Sequence, residues 1–105
     1  MSGISTHVLD TANGRPAAGI KVHLFLSGEA IGSGATDGDG RLRALLPEGA
    51  ALIPGNYRLL FEVADYFPHG FYPEVSISFA VPDAAAHYHV PLLISPFGYT
   101  TYRGS

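Results

Sequence analysis

The chain has 105 residues, enough for one hydrophobic core, with 47% apolar residues, 14% charged residues and a formal charge of −3. That balance excludes a disordered chain and offers no basic footprint for nucleic acid, while the absence of cysteine removes disulfides and thiolate chemistry. A single domain over residues 1–105 is expected, with too few charges to cover its apolar surface and hence buried subunit contacts.

Met1-Ser2-Gly3-Ile4-Ser5 has neither the basic region nor the apolar run of a signal peptide, and no segment approaches the roughly 20 apolar residues that span a bilayer. A cytoplasmic protein that meets no membrane is expected. Thirteen glycines and eight prolines cut the chain into short segments, and period-two alternation dominates between them. Residues 5–9 make a first plausible strand, before a break at Asn13-Gly14. In residues 20–26, Ile20, Val22, Leu24 and Leu26 share one face. Residues 31–35 and 41–45 are two short strands joined by the turn Thr36-Asp37-Gly38-Asp39-Gly40, read as a glycine-rich hairpin. After a break at Pro54-Gly55-Asn56, Tyr57, Leu59, Phe61 and Val63 form an apolar row opposite Arg58 and Glu62. Residues 63–70 alone could hold a helix, which Pro68 limits to a turn or two. Val75, Ile77, Phe79 and Val81 form a further row, and residues 88–94 and 99–103 complete the set. About eight strands with one short helix predict a mainly β, two-sheet antiparallel sandwich.

Five histidines raise the question of a metal. His87 and His89, one residue apart on a strand, point the same way and could chelate zinc. A third ligand would have to come from elsewhere, and nothing else has metal-loop spacing, so no metal is expected. Asp37-Gly38-Asp39-Gly40 opens like a calcium loop but lacks the later acidic ligands. Gly32-Ser33-Gly34 has no following helix whose amides could hold a phosphate, and no serine sits at a strand-to-helix elbow.

The distinctive stretch runs from His87-Tyr88-His89-Val90-Pro91-Leu92-Leu93 to Tyr99-Thr100-Thr101-Tyr102-Arg103-Gly104-Ser105. A solvated tail is normally polar and expendable; this one reads as a strand, with an arginine and a serine held somewhere specific. Together with Thr6-His7-Val8-Leu9-Asp10-Thr11-Ala12, Gly14-Arg15-Pro16-Ala17 and Thr36-Asp37-Gly38-Asp39-Gly40-Arg41, it resembles the transthyretin-related 5-hydroxyisourate hydrolase family. The resemblance runs from Ser5 to Ser105, and its motifs are long and well separated.

That resemblance implies a transthyretin-like sandwich with catalytic residues His7, Arg41, His89 and Ser105. Substrate binding falls to His7 and Arg41 with Tyr102 and Arg103, and His87 is a neighbour of the pocket. The implied reaction hydrolyses a ring amide of 5-hydroxyisourate to 2-oxo-4-hydroxy-4-carboxy-5-ureidoimidazoline, in purine (urate) catabolism, without metal or organic cofactor. His7 or His89 can take a proton from water near neutral pH, Arg41 can offer a planar donor fork to a ureide carbonyl, and Ser105 can hold the water or relay a proton. Homotetramers with pockets at the dimer–dimer interface are likewise implied. Strand parity adds a constraint, since Ser105 shares a face with Arg103 and not with Tyr102; if both Tyr102 and Ser105 meet one substrate, the last residues must leave strand geometry, which Gly104 eases. Two other readings are a transthyretin-type carrier of an aromatic ligand and a purely structural sandwich domain. The first has no use for this polar set, and the second leaves the C-terminal stretch unexplained.

Overall fold

Alternation decides which face of each strand turns inward. In the computed structural model, which describes residues 3–105, strand β1 (Gly3–Asp10) buries Ile4, Thr6, Val8 and Asp10 and presents Ser5, His7 and Leu9 on its other face. The same alternation runs through β3 (Lys21–Leu26), β6 (Gly55–Glu62), β7 (Glu74–Val81) and most of β8 (His87–Ser95), whereas β2 (Arg15–Pro16), β4 (Glu29–Ala35), β5 (Arg41–Leu42) and β9 (Gly98–Thr101) carry no fully buried residue. One sheet runs β4-β3-β6-β7, antiparallel throughout. In the other, β1 lies beside β8, which pairs with β9; the free edge of β1 is shared by β5, opposite Thr6 and His7, and β2, opposite Leu9 and Asp10.

The core lies between the sheets. Val22, Leu24, Leu59, Phe61, Val75 and Val81 from one sheet meet Ile4, Val8, Tyr88, Val90, Leu92 and Ile94 from the other. The two buried tyrosines place their hydroxyls on backbone partners, Tyr57 donating to Ile53 O at 2.7 Å and Tyr88 to Asp83 O at 3.0 Å, so neither polar end is stranded. The two-sheet sandwich and the alternating rows agree with the sequence reading.

Four details differ from it. Among the described residues there are nine strands, because the two-residue β2 is stitched to β1. The pairing is not purely antiparallel, since β1 and β8 run parallel from Gly3↔His87 to Asp10↔Ile94. Strands so far apart in sequence are not bound by the antiparallel geometry of a short hairpin. Among the described residues there is no helix: Tyr66 N and Phe67 N both reach Val63 O, Gly70 N reaches Phe67 O, and the segment stays two turns. Pro68 lacks an amide and disfavours helical backbone at Phe67. The Tyr66 hydroxyl then donates to the Asp10 carboxylate at 2.7 Å, tying this loop to β1. Burial would raise the Asp10 carboxyl, but hydrogen bonds from Asn13, Tyr66 and Ala12 outweigh it and hold it below the ordinary value.

The fourth difference shapes the site. The turn at residues 36–40 does not join paired strands; it carries the chain from β4 in one sheet to β5 in the other. Asp37 Oδ1 accepts the amides of Asp39 and Arg41 at 2.9 and 3.0 Å, Asp37 N donates to Arg41 O at 2.9 Å, and Gly40 O takes Val8 N at 2.7 Å. The loop therefore closes on itself around one carboxylate and releases the chain against β1. Gly40 has φ +76°, and a Cβ there would stand 2.4 Å from Val8 O. Glycine is required.

Candidate active site

Two registers bring the expected residues to one place. The antiparallel β1–β5 pairing sets His7 opposite Arg41, and the parallel β1–β8 pairing sets Ser5 opposite His89. Ser5, His7, His87 and His89 all occupy positions facing away from the core. Over Ser5, His87 and His89 opens a cleft of about 320 Å³, lined also by Thr6, Arg41, Arg43 and Ser105 but not by His7. Its lining carries two guanidinium groups and no carboxylate side chain, so it favours a substrate that develops negative charge.

The last residues reach the cleft by leaving β9. After Thr101 the strand stops, and Gly104 forms an isolated antiparallel bridge with His89, its amide donating to His89 O at 2.8 Å. A Cβ on Gly104 would lie 2.6 Å from His89 Cδ2. Only a residue without a side chain lies this flat on the imidazole and still carries Ser105 to the cleft.

His7 sits beside Arg41 at the margin of the cleft. Its Nε2 donates to Asp39 O at 2.9 Å, which leaves Nδ1 as its unprotonated nitrogen when neutral. His89 is half-buried; burial first, then the positive charge of Arg41, His7 and His87, lowers its pKa below the ordinary histidine value of 6.5. Its Nδ1 lies 2.8 Å from Ser5 Oγ.

Arg41, His89 and Ser105 are thus gathered, with His7 adjacent and His87 as a pocket neighbour. Tyr102 and Arg103 are not gathered within one chain. They line a second, apolar cavity of about 250 Å³ with Ile77, Phe79, Tyr88, Val90 and Thr101, and the Arg103 guanidinium lies 4.6 Å from the centre of the Tyr88 ring. The departure from β9 that turns Ser105 towards His89 leaves these two residues on the other side. Ser5 and Arg43 were not singled out from sequence. Parity put Ser5 on the face of His7, but its partners lie more than 80 residues away. Among the described residues, no group of three histidine, aspartate or glutamate side chains gathers as metal ligands would.

Residues 4–104 match the model of the HIUase/Transthyretin family. The chain is 47% identical to 5-hydroxyisourate hydrolase 2 of Rhizobium meliloti, over 97% of this chain and 95% of that protein. It superposes on the structure of Klebsiella pneumoniae 5-hydroxyisourate hydrolase with a TM-score of 0.89 at 36% identity, covering both chains fully. Transthyretin from Sparus aurata superposes with a TM-score of 0.87 at 25% identity, over 99% of this chain and 97% of that one.

Proposed function

The chain belongs to the HIUase/Transthyretin family, and from that premise we propose that it is a hydrolase of urate catabolism acting on 5-hydroxyisourate. The observation that carries this is the convergence of Arg41, His89 and Ser105 in one cleft beside His7. His89 takes a proton from water, which attacks a ring amide carbonyl. Arg41 offers its donor fork to the substrate and counters the developing oxyanion. Ser105 orients the water, and His7, braced on Asp39 O, presents its free nitrogen at the cleft margin. The six-membered ring opens to 2-oxo-4-hydroxy-4-carboxy-5-ureidoimidazoline, with no metal or cofactor in the scheme. Tyr102 and Arg103 enter through a homotetramer whose dimer–dimer interface closes the cleft, as substrate-binding groups.

The test follows the absorbance of freshly generated 5-hydroxyisourate with and without the protein. Faster decay with protein, unaffected by exhaustive chelation, supports the reading; decay at the spontaneous rate refutes it. A second reading, a carrier of an aromatic ligand, draws on the similarity to Sparus aurata transthyretin. Two arginines and two histidines in the cleft count against it, because an apolar ligand would leave them unpaired.

A further inference from the structure

Two histidines of β8 meet a single hydroxyl. Ser5 Oγ lies 2.8 Å from His87 Nε2 and 2.8 Å from His89 Nδ1. The parallel register creates this contact: Ser5 faces His89, and the neighbouring β1 position opposite His87 is Gly3, with no side chain to intervene. Ser5 is only 8% exposed. A hydroxyl has one proton to give, so with both rings neutral one imidazole N–H donates to Oγ while Oγ–H donates to the other ring. The three groups share their protons as a chain.

We propose that Ser5 is a proton bridge that couples His89, where the proton of the attacking water arrives, to His87, which holds the charge during turnover. This rests on the hydrolase reading and concerns the same site. Before reaction, His89 Nδ1–H donates to Ser5 Oγ, Ser5 Oγ–H donates to His87 Nε2, and His89 Nε2 is free. As the water oxygen bonds to the ring carbonyl carbon, its O–H breaks and the proton goes to His89 Nε2. The Nδ1 proton then passes to Ser5 Oγ as the Ser5 proton passes to His87 Nε2. His89 ends neutral, with its proton on Nε2 facing the substrate, and His87 ends as the imidazolium. When the C–N bond breaks, Nε2 gives that proton to the departing nitrogen, while Ser5 returns one proton to Nδ1 and recovers another from His87. One water is added, and both rings return to their starting state.

The surroundings set the direction. His89 is half-buried, with His7 of β1, Arg41 of β5, Arg43 and Ser105 grouped around the cleft and no side-chain carboxylate among its lining residues. Charge on His89 is disfavoured there. His87 lines the same cleft but is the more exposed of the two rings within the chain, so less of its hydration is lost there. Ser5 is therefore a positioning residue, acting on substrate through His89.

The experiment compares Ser5→Ala, Ser5→Thr, His87→Gln and the double variant Ser5→Ala/His87→Gln in the full chain. Ser5→Ala should lower kcat about ten- to a hundred-fold, less than loss of the base itself, with KM changed little. Ser5→Thr keeps the hydroxyl and should restore most of the rate. His87→Gln should lose a similar factor, and the double variant should be no worse than either single change, as for two members of one chain. In substrate-free protein, nitrogen NMR should find His89 protonated on Nδ1 in the parent and should find that preference lost in Ser5→Ala. Unchanged kcat and pH profile in Ser5→Ala, losses that multiply in the double variant, or an unchanged His89 tautomer would each overturn the bridge. If the parent fails to hydrolyse 5-hydroxyisourate while Ser5→Ala still alters the tautomer, the hydrolase reading falls and the bridge's role in turnover falls with it, and only the hydrogen-bond chain between the two rings stands.

Discussion

Arg41 is placed by its backbone before its guanidinium meets anything. Its amide is held by the Asp37 carboxylate and its carbonyl by the Asp37 amide, so the side chain leaves β5 at one fixed point beside His7. That placement makes the type of cation matter as well as its charge. Arg41→Lys should be strongly impaired in kcat/KM although it keeps the charge, because a point charge replaces a planar fork. His89→Ala should lower the rate by about 10² to 10⁴, the usual worth of an acid–base group, while circular dichroism remains that of the parent. Near-parental turnover in either variant would remove that residue from the mechanism. The lowered pKa of His89 has a direction that can be checked. A base that stays neutral below the ordinary histidine value keeps working there, so the acid limb of kcat/KM should fall below pH 6.5. A limb above 6.5 would mean that burial and the neighbouring cations do not govern this group. The common face of His87 and His89 was legible from spacing alone. Their shared partner Ser5 was not, because it depends on the register between strands 84 residues apart.

Among the elements, the link at residues 36–40 has the largest effect on the site. Its glycine and aspartate signals were legible as a turn, but a turn signal says nothing about which sheet receives the chain, and the hairpin reading failed there. Gly40→Ala must move Val8 O or abandon φ +76°. It should destabilise the fold by about 1–3 kcal/mol, the scale of a strained backbone position, and should impair activity beyond that loss by displacing Arg41. A thermal melt and a kcat/KM value on the same sample separate the two effects; parental activity would show that the link tolerates a shift. The segment beyond β9 acts in the same way on the other side of the cleft. Deleting Gly104 and Ser105 removes the bridge to His89 and one wall of the cleft, yet touches none of the core rows. Activity should fall while the melting temperature holds, and silent deletion would mean that Ser105 takes no part. The rows Tyr57-Leu59-Phe61-Val63 and Ile20-Val22-Leu24 were legible because each strand buries one face. The parallel direction of β1 and β8 was not, since alternation reads the same both ways along a strand.

For the whole molecule, the apolar surplus foreseen from composition appears as exposed Ile53, Phe71, Tyr72, Phe97, Tyr99 and Tyr102. Covering such surface is the physical reason to expect the tetramer. Light scattering at assay concentration should return four chain masses, whereas a fully active monomer would contradict a site completed at an interface. The parallel pairing of β1 with β8 also has a kinetic consequence. The β3–β4 pair is closed by a two-residue turn, Ser27 and Gly28, both at positive φ. It is local and can form early. The site depends instead on residues 5–7 finding residues 87–89, a long loop closure gained only after most of the chain is ordered. During refolding from denaturant, strand signal should therefore return first, and turnover only after β1 has met β8 and the subunits have assembled.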